Sequence, residues 1–155
     1  APLEAAHGRR PLFLKVAPDL DDTAIGDICE LALAYELDAL IVSNTTLQRP
    51  AHLTSLDRGE AGGLSGQPLF QISTQVLRVF AQALNGRLPL IGAGGVESGS
   101  TALAKIKAGA SAVQLYSSLV YHGPGLVARL LDDLDGLLAA DGFDNVAEAV
   151  GVNGN

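Results

Sequence analysis

The chain has little of what several classes of protein require. It has a single cysteine, Cys29, which excludes an internal disulfide and a zinc site built on cysteines. It has no apolar stretch near the roughly 20 residues that a membrane-spanning helix needs. Its ten basic and seventeen acidic residues leave a net charge of −7, with no basic stretch to follow a nucleic-acid backbone. These absences predict a globular protein of a reducing compartment, without a metal site or a nucleic-acid partner, in which Cys29 is a small buried helix residue.

Length and composition suit one domain with a hydrophobic core, because 48% of the 155 residues are hydrophobic and 17% are charged. The sequence starts at Ala1, without a methionine and without the pattern of a signal peptide. A strand of the buried type follows already at Phe13. We therefore expect residues 1–155 to form a single domain that has been cut from a longer chain.

Four apolar runs each end in a turn rich in polar residues or glycine. Uninterrupted apolar runs are typical of parallel strands covered on both faces, and ligands bind at the carboxyl ends of such strands. Helical patterns separate the runs, starting near Asp21, after Pro68, at Ser98 and at Pro124, with a short terminal helix near residues 144–150. The runs with their turns are residues 13–19, 40–46, 90–95 and 113–118. The apolar positions that predict the buried helix faces are Ile25, Ile28, Cys29, Ala32 and Tyr35; Ile72, Val76, Val79, Phe80 and Ala83; Ala102, Leu103 and Ile106; and Leu126, Val127, Leu130, Leu131, Leu134 and Leu138.

Four consecutive strand–helix units form either a small open sheet or half of an eight-stranded barrel. A long insertion over residues 47–67 separates the second strand from its helix, and it contains the glycine-rich segment 62–66. Long loops with glycine clusters are typical of barrel active sites, where they cover the ligand. The sequence therefore favours an α/β fold made of four βα units, half of a TIM (β/α)8 barrel.

The ends of the third and fourth strands have the chemistry of a phosphate site. Gly94 and Gly95 make a turn without side-chain bulk, so its backbone N–H groups can approach an anion, and the helix from Ser98 points its positive end the same way. Tyr116 and Ser117 add N–H and hydroxyl donors at the neighbouring strand end. The alternative is that the glycines only turn the chain. The donors at the neighbouring strand end favour a phosphate site over this alternative.

Lys15 lies within the first apolar strand, where burial of its charge costs free energy unless a negative partner meets it. One possibility is that it faces a ligand at the barrel mouth, where its charge could stabilise an electron-rich ring or enolate. The other is that it pairs with Asp19 or another carboxylate. The residues alone leave both open.

Asn44 and its hydroxyl-bearing neighbours Ser43 and Thr45 place donors and acceptors at the end of the second strand. This set suits a polar planar heterocycle or a carboxylate, although the same residues also form local turns. No candidate proton acceptor stands among these residues. The histidines have no partner at a motif spacing and are expected on the surface or in loops: His7, His52 and His122.

Taken in order, the strand ends resemble the C-terminal half of dihydroorotate dehydrogenase, the FMN-dependent enzyme family of pyrimidine biosynthesis. Five motifs carry the resemblance, in register over nearly the whole chain. The Ala-Pro-Asp-Leu residues at 17–20 are more similar to the quinone-dependent, membrane-associated class than to the soluble classes. The motifs are Lys-Val-Ala-Pro-Asp-Leu at 15–20, Ser-Asn-Thr-Thr at 43–46, Gly-Gly-Leu-Ser-Gly at 62–66, Gly-Ala-Gly-Gly at 92–95 and Gln-Leu-Tyr-Ser at 114–117.

The resemblance implies a role for each site residue. Lys15 would stabilise the negative charge of reduced FMN, and Ser43 would contact FMN through its hydroxyl, where the family more commonly has threonine. Asn44 and Thr45 would hydrogen-bond the orotate ring or its carboxylate. The other implied FMN-binding residues are Gly66, Gly94, Gly95, Tyr116 and Ser117, of which Gly95, Tyr116 and Ser117 surround the ribityl phosphate.

The resemblance also implies a reaction that this chain completes only in part. Hydride leaves C6 of dihydroorotate for flavin N5 while a base removes the C5 proton, and the flavin then passes electrons to a quinone. In the quinone-dependent class that base is a serine in the first half of the barrel, and N-terminal helices build the quinone tunnel. We therefore expect no catalytic base here and an absent N-terminal half. The intact protein would be peripherally attached to the cytoplasmic side of a membrane.

A half barrel leaves two strand edges and one core face open, so we expect the chain to self-associate or to pair with the missing half, and to be inactive alone. Two alternatives remain. The first is a stand-alone half-barrel module that binds a phosphate or nucleotide without redox chemistry. The second is a subunit whose site is completed by a separate chain.

Overall fold

Four parallel strands form one sheet in the order β1–β2–β3–β4 in the computed structural model, which describes residues 8–153. The strands are β1 (Phe13–Val16), β2 (Ala39–Val42), β3 (Leu90–Ala93) and β4 (Ala112–Gln114). The helices are α1 (Asp22–Ala34), α2 (Phe70–Leu84), α3 (Gly99–Lys107), α4 (Ser117–His122), α5 (Leu126–Ala140) and α6 (Val146–Ala149). Two short 3-10 turns, Leu56–Gly59 and Gln67–Leu69, lie between β2 and α2. Sequential parallel strands joined by helical crossovers confirm the predicted α/β architecture of four βα units.

The two faces of the sheet differ in burial, because successive side chains of a strand point to opposite faces. Val16 and Val42 are in register and buried in the main core with helices α1 and α2. Lys15 and Ile41, also in register, lie on the other face, which is only partly covered. On that open face Phe13 keeps 48% of its surface exposed. It is the face that a closed barrel turns inward.

Local sequence explains where the helices begin and end. The carboxylate of Asp21 accepts a hydrogen bond from the Ala24 N–H at 2.8 Å and so caps α1. Ser98 and Thr101 form a reciprocal capping box at the start of α3. Helix α2 ends where Asn85 adopts the left-handed conformation with φ of +46°, as its Asn-Gly ending predicts.

The main core lies between the sheet and helices α1 and α2. Leu77 and Phe80 of α2 have no exposed surface there, and Cys29 of α1 is 4% exposed, which confirms it as a buried helix residue. A second cluster joins α3, α5 and α6 around Ile106 and Leu138. The first cluster includes strand residues Val16, Val42 and Leu90, and the second meets the sheet at the partly buried Val113.

Two predicted positions on α1 and α2 are wrong. Tyr35 lies just beyond the last residue of α1 and is 77% exposed, because it no longer follows the helical face. Ala83 is exposed, because the buried face of α2 is centred on Leu77 and Phe80 rather than on the Val76–Val79 side. The predicted helices exist, but their buried faces are rotated or end earlier than the apolar pattern indicates.

Helix α5 buries a narrower stripe than predicted. Val127 and Leu131 are 42% and 57% exposed, because the buried residues recur every fourth position. These buried residues are Leu126, Leu130, Leu134 and Leu138. The short helix α4, directly after β4, was not predicted as an element of its own.

The remaining expectations concern single residues and absences. His52 and His122 are exposed, as expected, and His7 lies outside the described residues. Among residues 8–153, no helix is long and apolar enough to cross a membrane. In the same range, no three histidine, cysteine or acidic side chains are grouped so as to hold a metal ion.

Candidate functional site

A cavity of about 740 Å³ lies at the carboxyl ends of the four strands. Its volume falls within the roughly 300–1,000 Å³ of small-molecule sites. Every residue predicted for cofactor or substrate binding lines it: Lys15, Ser43, Asn44, Thr45, Gly66, Gly94, Gly95, Tyr116 and Ser117. The fold thus brings four separate strand ends to one place, while the role of each residue remains a prediction.

Lys15 reaches across the whole sheet. Its Nζ donates to Oε1 of Gln114 at 3.3 Å, although the two residues lie on the outer strands β1 and β4. The alternative partner Asp19 forms no ion pair with it, and the side chain of Lys15 is exposed rather than buried. Lys15 is exposed because it lies on the open face of the sheet. Its ammonium group therefore stands at the cavity with only a neutral amide as a partner in the described chain.

Asp19 holds the beginning of the long loop instead. Its carboxylate oxygens accept from Thr46 Oγ1 at 2.5 Å, from the Leu47 N–H at 2.8 Å and from Gln48 Nε2 at 3.1 Å. Partial burial acts to raise the pKa of Asp19, but these three hydrogen bonds together lower it below the ordinary value. Thr46 also exchanges backbone hydrogen bonds with Leu64. The ionised Asp19 thus ties the second strand end to the glycine-rich segment.

The Ser43–Thr45 strand end combines a local turn with free groups. The buried hydroxyl of Ser43 donates to the carbonyl of Asn44 at 2.9 Å, and Asn44 Oδ1 accepts from the Thr45 N–H at 2.9 Å. The predicted local turn therefore exists. It uses only one end of the Asn44 amide, and Nδ2 has no protein acceptor among the described residues. Gly63 packs so close to Thr45 that a Cβ there would lie 1.9 Å from Thr45 Oγ1.

Arg49 organises the long loop over residues 47–62. Its guanidinium donates to five backbone carbonyls between 2.8 and 3.1 Å, and no carboxylate in residues 8–153 pairs with it. The carbonyls belong to Leu47, Gln48, Arg58, Glu60 and Gly62. Because the five donors of a guanidinium lie in one rigid plane, they fix the relative positions of the loop's two ends.

The Gly94–Gly95 turn leaves backbone donors available at the cavity. Gly94 and Gly95 have φ of +95° and +74°, and a Cβ on Gly95 would lie 2.5 Å from the Cβ of Phe70. Within the described chain, the Gly95 N–H donates to no protein acceptor. The first turn of α3 uses its Thr101 N–H in the capping box with Ser98. The turn lines the cavity and the first residues of α3 do not, so the N–H groups of the turn are the anion donors at the cavity.

The fourth strand end lies against both the turn and the long loop. Ser117 Oγ donates to Ser65 Oγ at 3.1 Å, and Ser118 Oγ donates to the Val96 carbonyl at 2.8 Å. Tyr116 is 81% exposed beside them. Hydroxyl groups and free backbone N–H groups from three segments thus surround the same end of the cavity.

Comparison with known proteins agrees with this arrangement. The sequence profile of the family described as dihydroorotate dehydrogenase matches residues 3–138. The chain belongs to the dihydroorotate dehydrogenase family. It is 55% identical over 145 residues to dihydroorotate dehydrogenase (quinone) of Xanthobacter autotrophicus, covering 94% of this chain and 41% of that relative. The enzyme of the same name from Parvibaculum lavamentivorans is 53% identical over 153 residues, which are 99% of this chain and 44% of the relative.

A solved dihydroorotate dehydrogenase has the same fold. The ligand-free enzyme of Eimeria tenella superposes with a TM-score of 0.90 at 46% sequence identity, over 94% of this chain and 41% of that one. This agreement confirms the assignment to a half of the barrel type that the resemblance predicted. The chain spans about two fifths of the length of the relatives it matches.

A dihydroorotate dehydrogenase implies a flavin cofactor, and the residues of the cavity suit one. The Gly94–Gly95 turn offers unpaired N–H groups to a phosphate, and the Lys15 ammonium offers a positive charge at the far side of the sheet. Side-chain bulk is excluded at Gly95, so only backbone lines the turn. Backbone donors at one end of the cavity and an ammonium group without a carboxylate partner at the other fit an anionic, ring-bearing ligand.

Sequence reasoning missed two residues that lie near the cavity without lining it. Arg49 gave no motif, since its partners are backbone carbonyls that any sequence could supply. Lys105 of α3 has no exposed surface, and its position three residues after the buried Ala102 was the available signal. Burial lowers the pKa of Lys105 to about 7. Its side chain lies behind the Gly94–Gly95 turn, where it contacts Ser73.

Proposed function

We propose that this chain is the C-terminal half of a quinone-dependent dihydroorotate dehydrogenase, which oxidises dihydroorotate to orotate in pyrimidine biosynthesis. The observation that carries the proposal is that all nine residues implied by the resemblance line one cavity. High identity to enzymes named dihydroorotate dehydrogenase (quinone) supports it. In this proposal residues 1–155 form one domain that supplies the FMN phosphate site and part of the orotate site.

The cofactor in this proposal is FMN. When bound, it supplies the ring that accepts a hydride from dihydroorotate. Lys15 holds a positive charge beside the ring and stabilises negative charge that develops on it, while the hydroxyl of Ser43 and the backbone of Gly66 orient it. The N–H groups of Gly94 and Gly95, with Tyr116 and Ser117, hold the phosphate.

The substrate in this proposal meets the free groups of the second strand end. Asn44 Nδ2 and the Thr45 hydroxyl donate to the orotate ring or its carboxylate. Asp19 and Arg49 keep the adjoining loop in place and so position both groups. The base that removes the C5 proton belongs, in this proposal, to the first half of the barrel, as do the quinone site and the peripheral attachment to the membrane.

The open face and edges of the sheet support a missing half. Phe13 and Leu14 on the edge strand β1 are 48% and 43% exposed, and Leu12 directly before the strand is 62% exposed, a large apolar exposure for a finished surface. We propose that the first half of the barrel covers them, and that the isolated chain self-associates. A phosphate-binding module without redox chemistry has no use for Lys15 or Asn44, and both line the cavity.

The test uses the full-length protein. It should bind FMN with the visible absorbance of a flavin and reduce a quinone with dihydroorotate as the electron donor. Lys15→Ala should lower that activity at least about a hundredfold, because it removes the charge that stabilises the transition state. Its unfolding free energy should change by less than about 0.5 kcal/mol, because the side chain is exposed.

Lys107→Ala is the matched control, since the Lys107 ammonium pairs with Asp141 at 2.7 Å and does not line the cavity. It should keep full activity. Full-length protein that shows no flavin absorbance, even with added FMN, would falsify the proposed function.

A further inference from the structure

A buried lysine lies behind the glycine turn of the cavity. Lys105 of α3 has no exposed surface, and its Nζ lies 2.6 Å from Oγ of Ser73 on α2 and 5.4 Å from the centre of the Phe70 ring. No carboxylate within the described residues pairs with it. Burial of an amine costs free energy, and an apolar side chain would fill the same space without that cost. A contact made by the amine therefore needs an explanation.

Ser73 carries this contact to the turn. Its Oγ lies 3.1 Å from the carbonyl oxygen of Gly94 and 3.2 Å from that of Phe70. A hydroxyl has one proton, so Ser73 accepts from Lys105 and shares its own proton between the two carbonyls, of which that of Gly94 is the nearer. Serine beside lysine is also the chemistry of a nucleophile and its base. That role is excluded here because both side chains are fully buried and neither lines the cavity.

The carbonyl of Gly94 and the N–H of Gly95 belong to one peptide group. A hydrogen bond accepted at the carbonyl polarises the group and makes its N–H a stronger donor. That N–H has no protein acceptor in the described chain, and Gly95 lines the cavity. The Lys105 Nζ thus lies two hydrogen bonds away from a donor aimed at the ligand.

The Gly94–Gly95 turn packs closely against α2. A Cβ on Gly94 would lie 2.9 Å from Ser73 Oγ, and a Cβ on Gly95 would lie 2.7 Å from the Cα of Phe70. The peptide therefore packs directly against α2 at Ser73 and Phe70. The Gly94–Gly95 peptide is thus the part of the cavity lining that Ser73 contacts directly.

We propose that Lys105 is a positioning residue that acts through Ser73 to orient the Gly94–Gly95 peptide and to strengthen its N–H as a donor to the cofactor phosphate. The inference rests on the proposed function, which places that phosphate at the turn. It holds for either protonation state of the amine, because both the ammonium and the neutral amine carry N–H groups that can donate to Ser73.

The test compares two ligands that differ only in the phosphate. FMN and riboflavin are titrated into the flavin-free full-length protein, and each dissociation constant is read from flavin fluorescence. Ser73→Ala and Lys105→Met should each weaken FMN binding about tenfold, as expected for the loss of one polarised hydrogen bond. Riboflavin binding should change less than twofold. The double variant should be no worse than the single ones, because both act through one chain of contacts.

Thr74→Ala is the matched control. The Thr74 hydroxyl is buried on the same turn of α2 and donates to the Phe70 carbonyl at 2.6 Å, without a contact to Gly94. It should leave the ratio of the two dissociation constants unchanged. Circular dichroism verifies folding, and if Lys105→Met does not fold, Ser73→Ala decides alone.

Two results separate this inference from the function on which it rests. If Ser73→Ala weakens FMN and riboflavin equally, or weakens neither, Lys105 does not act on the phosphate donor and the inference is overturned while the function stands. If the unmodified full-length protein binds no FMN, the proposed function fails and takes the inference with it.

Discussion

Replacing Lys105 with methionine should remove a pH dependence from the stability of the protein. The amine is fully buried between α2 and α3, and its burial lowers its pKa from 10.5 to about 7. Methionine fills a similar volume and carries no charge. The perturbation therefore removes a titrating group while keeping most of the packing around Phe70 and Ser73.

The size of the effect follows from the two pKa values. Between about pH 7 and 10.5, the unfolded chain holds the proton that folded Lys105 has released, so stability rises with pH through this window. Taking 7 for the folded state, the gain between pH 6 and 8 is about 1.4 kcal/mol. The methionine variant should show none of this gain. Within the tested range, the unfolding free energy of the variant relative to that of the unmodified protein should therefore be highest at pH 6.

The assay is urea unfolding of the ligand-free full-length protein at pH 6, 7 and 8, with and without the substitution. Subtraction cancels the groups that titrate in both proteins. The range brackets the folded-state pKa of Lys105, which is about 7. Lys107→Met, at a lysine paired with Asp141, is the control and should keep the full slope. Equal slopes for Lys105→Met and the unmodified protein would refute the assignment of a low pKa to this amine.

Three further predictions concern the loop and the turn. Asp19→Asn should raise the KM for dihydroorotate several-fold in steady-state assays, and an unchanged KM would show that the loop needs no carboxylate. The activity of the unmodified protein should also fall as the pH drops through the lowered pKa of Asp19. Gly95→Ala should cost at least about 2 kcal/mol in urea unfolding, because φ is +74° and a Cβ would lie 2.5 Å from that of Phe70; a loss under about 0.5 kcal/mol would contradict the packing described. Arg49→Ala should speed proteolytic cleavage within residues 47–62. Arg58→Ala removes a single 3.5 Å hydrogen bond and should not change the cleavage rate. Equal cleavage rates for the two variants would mean that Arg49 does not hold the loop.

Much of the site is local and can be predicted from the sequence. Each strand is an apolar run that ends where glycine, proline or polar residues begin, so β3 and the Gly94–Gly95 turn follow from neighbouring residues alone. The same holds for the capped start of α3 at Ser98. Because parallel strands place their carboxyl ends at one edge, the predicted residues had to meet in one cavity.

Other features depend on which elements face each other, and no short stretch of sequence contains that information. The sequence left two interpretations of Lys15 open, a ligand at the barrel mouth or a carboxylate partner, and the open face of the sheet leaves its side chain exposed beside the neutral amide of Gln114. Asp19, one of the possible carboxylate partners, instead accepts hydrogen bonds from the loop after β2.

The sequence by itself determined the strands, the glycine turn and the set of residues at the cavity, because apolar runs and turn residues act over a few positions. Only the tertiary structure decided that Lys105 is buried behind the turn, since this requires α2 and α3 to pack together and place Ser73 between the amine and Gly94. It also decided that Arg49, at the start of the long loop, donates to the backbone carbonyls of Glu60 and Gly62 at its end. Burial and long-range hydrogen bonds arise from packing, and packing exists only once the chain has folded.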